Sequence, residues 1–364
     1  MITVLLVIAI LVILIVAHEL GHFVAAKVLR VKVEEFGVGY PPRAFTLGKI
    51  GDTEYTLNWL PFGGFVRLFG DEGKAEHGTG SLMDSPRWKQ AIILVAGVLM
   101  NAVAAWALFA IALHLGVPEP VNAVPPGQKA ELIVADVVPG SPAYAAGMIP
   151  GDQIIGVVDP KGGEAVTGIN PDSVVAFIRD HPGRPVEITY KEGGTQKKAT
   201  MIPAQGVLSK QAGQPALGIA LVLVANQSES WRLAAKDALK ETYRAFGVVF
   251  GDLGSLFSGF ARGAPNLSGV VGPVGIVGYV GEAAQNGMGA VLMLAALISV
   301  NLAIINLIPV PALDGGRLLI LILEAALRRN APRLAVQILN ALGVALIILL
   351  MVTVTYHDIG RLLG

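Results

Sequence analysis

Cysteine is absent from all 364 residues. Disulfides, thiol nucleophiles and cysteine-based metal sites are therefore excluded, and any bound metal must be held by His, Asp or Glu. Charge is scarce too. Asp, Glu, Lys and Arg make up 15% of the chain, against about a quarter in soluble proteins. The 27 basic side chains cancel the 27 acidic ones. A chain that reads phosphate backbones carries a basic surplus, so no nucleic acid is expected as a partner. Histidine numbers only six, and two of these stand in one five-residue run.

What is abundant is apolar: 53% of residues are hydrophobic and the mean hydropathy is +0.63. Four segments, Ile2–Leu29, Ala91–Leu115, Ala290–Val310 and Leu334–Val354, reach the roughly 20 residues that cross a bilayer. The first has no basic leader and continues through Phe23-Val24-Ala25-Ala26. It therefore reads as a retained transmembrane helix rather than a cleaved signal peptide. Residues 31–90 are broken by Gly and Pro around β-prone runs such as Glu54–Leu57 and Gly64–Leu68, which predict hairpins.

Residues 117–225 read as one small soluble insert. Strands are expected at Leu132–Val137, Gln153–Val158, Val186–Tyr190 and Lys197–Met201. One short helix ends at Gly147, and a second starts at Pro171 behind an Asn170 cap. In residues 226–289, Trp231–Phe250 has the pattern of an amphipathic interfacial helix, and the Gly-rich Ser268–Gly281 leads into the third span.

Basic residues set the expected orientation. Nine Lys or Arg lie between Lys27 and Lys89, and Arg317, Arg328, Arg329 and Arg333 follow the third span in what reads as a short loop. Both stretches belong on the cytoplasmic side, which puts the insert outside. The parts are then 1–30 (first span), 31–90 (cytoplasmic, β-rich), 91–116 (second span), 117–225, 226–289, 290–316 (third span) and 317–364 (loop and fourth span).

Chemistry concentrates in His18-Glu19-Leu20-Gly21-His22. On a helix, residues four apart share a face at about 5–6 Å, so both imidazoles can reach one Zn²⁺. Glu19 is placed to serve as general base toward water at that metal. Gly21 gives the helix a small side. Chance patterns of this kind fall on polar surface helices, whereas this one follows seventeen nearly all-apolar residues. Ionisable groups inside a span cost roughly 2.5–3.5 kcal/mol each and so call for a functional reason.

A catalytic zinc needs a third protein ligand. Asp314, in Asn306-Leu307-Ile308-Pro309-Val310-Pro311-Ala312-Leu313-Asp314-Gly315-Gly316, follows two prolines that break the third span. Irregular backbone at membrane depth usually lines a cavity, though an Asp-Gly pair also serves as a plain turn. Glu324 is the competing ligand, and His114 and His357 lie toward the opposite face.

These motifs resemble the site-2 proteases, specifically the bacterial regulator of sigma-E protease-like branch, and the likeness extends over essentially the whole chain. It implies His18, His22 and Asp314 as zinc ligands, Glu19 as the catalytic residue, and Asn301 and Asn306 as substrate-binding residues. Residues 138–154 are similar to the PDZ domains of bacterial proteases, with room for one such domain. The implied fold class is a polytopic α-helical membrane protein of about four transmembrane helices, with a membrane-associated β-hairpin region and one inserted α+β PDZ domain.

The implied activity is hydrolysis of transmembrane segments of single-pass membrane proteins, such as anti-sigma factors or remnant signal peptides, in the bacterial inner membrane. Peptide termini are candidate ligands of the PDZ domain. Near the start of the second span, Gly97-Val98 stands where the family usually has Gly-Pro, four residues before Asn101. A metal or ion transporter and a catalytically silent PDZ scaffold are the competing classes.

Overall fold

The computed structural model describes residues 2–70, 77–124, 129–207, 213–263, 271–329 and 331–363. Along the chain run helix α1 (Ile2–Val28), strands β1 (Val33–Ile50) and β2 (Thr53–Leu68), and helix α2 (Arg87–Leu115). Then follow β3 (Val117–Pro120), β4 (Ala130–Val137), α3 (Pro142–Ala145), β5 (Gln153–Val158), α4 (Pro171–Asp180), β6 (Val186–Glu192), β7 (Thr195–Met201) and β8 (Ile219–Gln227). Five helices complete it: α5 (Trp231–Ala261), α6 (Pro273–Gln285), α7 (Met288–Leu307), α8 (Asp314–Leu327) and α9 (Arg333–Leu363). Residues 115–229 form one compact unit, and residues 1–114 with 230–364 form the other.

Four helices are long and apolar enough to cross a membrane: Ile2–Val28, Arg87–Leu115, Met288–Leu307 and, within α9, Leu334–Gly360. The second starts a turn earlier than expected. The third stops at Leu307 rather than Val310, because Pro309 and Pro311 cannot continue it.

One expectation on this side of the chain is corrected. The stretch after the third span is not a short loop: Asp314–Leu327 is a helix whose apolar residues follow a helical period. The Gly-rich segment is likewise helical from Pro273 onward, with Gly272 as N-cap and Pro273 in the first turn. Ser268 and Gly269 lie outside the described residues. The carboxylate of Asp358, buried in α9, accepts from the backbone N–H of Gly272 (3.3 Å) and of Gly275 (2.8 Å), which caps α6 from a distant helix.

Residues 33–68 form the expected antiparallel hairpin pairing, but as two long bent strands rather than short runs. Phe36 pairs with both Tyr55 and Val66, so the first part of β1 lies between the two halves of β2, while Phe45–Ile50 pairs back onto Thr53–Leu57. Glu35 is buried in this sheet. It accepts from Thr56 Oγ1 (2.7 Å) and Arg43 (2.9 Å), and Arg67 also contacts it. The sheet packs on α1 and α2 through Ala26, Val31, Val33, Leu68 and Ile93.

In the 115–229 unit a six-stranded antiparallel sheet has the order β3-β8-β4-β5-β6-β7. The expected strands and both helices are present. Asn170 caps α4 with a reciprocal bond from Ser173, which fixes where that helix begins. Leu132, Val134, Ile154, Val157, Val174 and Ile188 meet in its core. The missed elements are the short β3 and the longer β8, whose Ile-Ala-Leu-Val-Leu-Val run pairs with β4 on one side and β3 on the other.

Candidate metal centre

The site is built where α1, α2 and the start of α8 meet. The helical repeat of α1 puts His18 and His22 on one face, both buried. Their rings meet edge to face at 4.7 Å, with the two Nε2 atoms 3.1 Å apart. The proline-broken turn after α7 delivers Asp314 to the same point. Its Oδ2 lies 3.0 Å from His18 Nε2 and 3.2 Å from His22 Nε2. Among the described residues these three form the one group of His, Asp or Glu side chains whose ligand atoms converge, all within 4.8 Å of one another.

Two ring nitrogens and a carboxylate oxygen repel one another unless a proton or cation lies between them. Tetrahedral zinc with ligands at 2.0–2.1 Å separates neighbouring ligand atoms by roughly 3.3 Å. The observed 3.0–3.2 Å spacings fit that donor set.

Close helix packing makes the room. A Cβ on Gly21 would lie 2.3 Å from the Ala96 carbonyl oxygen, and one on Gly97 would lie 2.4 Å from His22 Nε2. On the far side of the rings, His22 Nδ1 donates to the Ile93 carbonyl oxygen at 2.8 Å, while His18 Nδ1 faces the Asn101 amide at 3.2 Å. Glu19 points into a cavity of about 420 Å³ that also holds His18, His22 and Asp314. Its carboxylate has the backbone of Val66 in β2 as a hydrogen-bond partner.

Tyr40, Asn306 and Arg317 also line the cavity. Asn301 does not: it is exposed on α7, and its amide donates to the Leu297 carbonyl oxygen one turn back at 3.0 Å. Glu324 accepts from the backbone N–H of Ala331 (2.7 Å), closing the end of α8. His114 stacks on Trp231 at 4.0 Å, and His357 is exposed on α9. None of these three belongs to the cluster. Sequence reasoning did not single out Tyr40 or Arg317, because neither has a local pattern that points inward.

Residues 6–350 match Peptidase family M50. The chain belongs to that family. A Clostridium perfringens protein whose name places it among zinc metalloproteases is 34% identical over 347 residues, spanning 95% of each chain. The membrane metalloprotease ARASP of Arabidopsis thaliana is 30% identical, over 94% of this chain and 75% of its own. The zinc metalloprotease RasP of Geobacillus kaustophilus is 26% identical, over 94% of each. Among solved structures, the PDZ domain of an SdrC-like protein from Listeria innocua covers 25% of this chain and 92% of its own. That match has 25% identity and a TM-score of 0.20.

This M50 chain is therefore a zinc metalloendopeptidase, and with its four long apolar helices it is a membrane protein. The transporter and silent-scaffold alternatives give way to that membership.

Proposed function

We propose that the chain cleaves peptide bonds within transmembrane segments of single-pass membrane proteins, with His18, His22 and Asp314 holding the zinc and Glu19 as general base. The observation that carries this reading is the convergence of Asp314 on a histidine pair 296 residues away, inside a cavity that Glu19 also faces. When bound, zinc polarises a scissile carbonyl and lowers the pKa of water toward 7. Glu19 takes a proton from the attacking water and passes it to the leaving amine, which departs neutral. His18 and His22 are kept in orientation by α2, and Asp314 by the turn before α8.

A helical substrate hides its peptide groups in its own hydrogen bonds and must be unwound before it is cut. The β1–β2 sheet beside Glu19 supports strand addition as the means. Asn306 in the cavity wall and Asn301 on the exposed face of α7 would take backbone groups freed by unwinding. Candidate substrates are anti-sigma factors already shortened outside the membrane, and signal-peptide remnants. The 115–229 unit serves as a PDZ domain that takes peptide termini or excludes substrates with bulky external parts. The basic stretches favour the bacterial inner membrane with that unit outside and the metal centre toward the cytoplasm.

Glu19→Gln tests the reading. Purified variant protein is expected to keep its zinc while cleavage of a membrane-embedded substrate falls by at least a hundredfold, the scale of general acid–base catalysis (about 10²–10⁴-fold). Undiminished cleavage would remove Glu19 from the mechanism.

A further inference from the structure

One polar side chain at the metal centre has no part in the chemistry so far. Asn101 of α2 is completely buried, at 0% exposure. Its Nδ2 stands 3.2 Å from His18 Nδ1, and its Oδ1 has no hydrogen-bond partner among the described residues. The Asn101 carbonyl oxygen accepts from Ser299 Oγ of α7 at 2.8 Å. The residue is thus fixed where α1, α2 and α7 cross.

His18 turns Nε2 toward Asp314 and His22. To bind a cation that nitrogen needs its lone pair, so the neutral ring carries its proton on Nδ1. A buried N–H requires an acceptor. For His22 the Ile93 carbonyl oxygen fills that role. For His18 the group within reach is the Asn101 amide. The oxygen and nitrogen of an amide exchange places by a half-turn that hardly changes its shape, and the surrounding hydrogen bonds decide between them. With Nδ2 toward the ring, His18 Nδ1 must accept, its proton sits on Nε2, and metal binding is blocked. With Oδ1 toward the ring, both requirements are met.

We propose that Asn101 is a positioning residue whose Oδ1 accepts the Nδ1 proton of His18 and so keeps Nε2 free for the metal. The inference rests on the reading of His18, His22 and Asp314 as the ligand set. Helix α2 then supplies the outer acceptor for both histidines, Ile93 for one and Asn101 for the other, about two turns apart on one face.

Zinc affinity of the purified full chain, measured by competition with a chromophoric chelator, tests this without reference to catalysis. Asn101→Leu keeps the branched shape and deletes the acceptor; it is expected to weaken zinc binding roughly 10–100-fold, the usual effect of losing an outer partner of a metal-bound histidine. Asn101→Asp retains an acceptor and is expected to bind zinc at least as tightly as the unaltered protein. Ser299→Ala loosens the packing around Asn101 but leaves its amide, and is expected to leave zinc affinity unchanged.

Unaltered zinc binding in Asn101→Leu would overturn the proposal. So would an Asn101→Asp variant as weak as Asn101→Leu, or a Ser299→Ala variant as weak as Asn101→Leu, since each result assigns Asn101 to packing alone. His22→Ala separates the two readings. If it binds zinc normally, the ligand set is wrong; if it loses zinc while Asn101→Leu does not, only the role of Asn101 fails.

Discussion

Gly97 packs directly against the two histidines of α1. A Cβ added to Gly97 would sit 2.4 Å from His22 Nε2 and 2.7 Å from His18 Cε1, closer than atoms of that kind approach. Gly97→Ala is expected to displace the histidine pair and lower zinc affinity by tenfold or more, equivalent to at least about 1.4 kcal/mol. Metal content after dialysis checks it. At this scale the sequence was most informative where several residues share one helix turn: His18, Glu19 and His22 are recognisable because a four-residue spacing and a shared face are the same fact. Asn101 gave a weaker signal, a polar group in an apolar span. Tyr40 and Arg317 gave none, since they reach the cavity only through the path of the chain.

Secondary-structure elements were legible to the extent that their periods are long and uninterrupted. The four apolar helices satisfy that condition. Strand β8 does not, because a short continuous apolar run reads equally well as strand or helix until its partners β4 and β3 are known. The β1–β2 pair was divided into short hairpins by its Gly and Pro residues, which bend long strands here rather than end them. Helices α6 and α8 were hidden by the glycines and prolines at their starts, although Pro in a first turn is a favourable beginning.

Helix α6 also depends on a distant acceptor, the carboxylate of Asp358. Asp358→Ala leaves the buried N–H of Gly272 and the partly buried N–H of Gly275 unpaired, and a buried unsatisfied group costs about 1–3 kcal/mol. A lower unfolding midpoint in detergent solution is expected. Asp358→Asn, which keeps one acceptor oxygen, is expected to fall between the two.

Across the whole molecule the proposed ligand set joins the first helix to the eighth, and no spacing within either helix announces such a connection. On physical grounds Asp314 stood out from its neighbours only as a carboxylate after a broken span, and the family resemblance was needed to pair it with the histidines; its place beside His18 is a product of tertiary packing. Metal held by both helices should stabilise the folded chain by mass action, about 4 kcal/mol when free zinc exceeds its dissociation constant a thousandfold. Stripping zinc with a chelator is therefore expected to lower the thermal midpoint of the unaltered protein. The same treatment should leave an Asp314→Ala variant nearly unmoved, because little metal remains to be removed. Equal shifts in the two proteins would place the stabilising metal elsewhere.

The 296-residue separation between His18 and Asp314 also orders events in time. A chain synthesised from its N-terminus inserts the histidine helix first and the aspartate almost last. Until α8 emerges from the ribosome, the two imidazoles and Glu19 stand without the proposed third ligand. On the proposed ligand set, the metal centre is therefore completed only late in synthesis, when α8 joins α1.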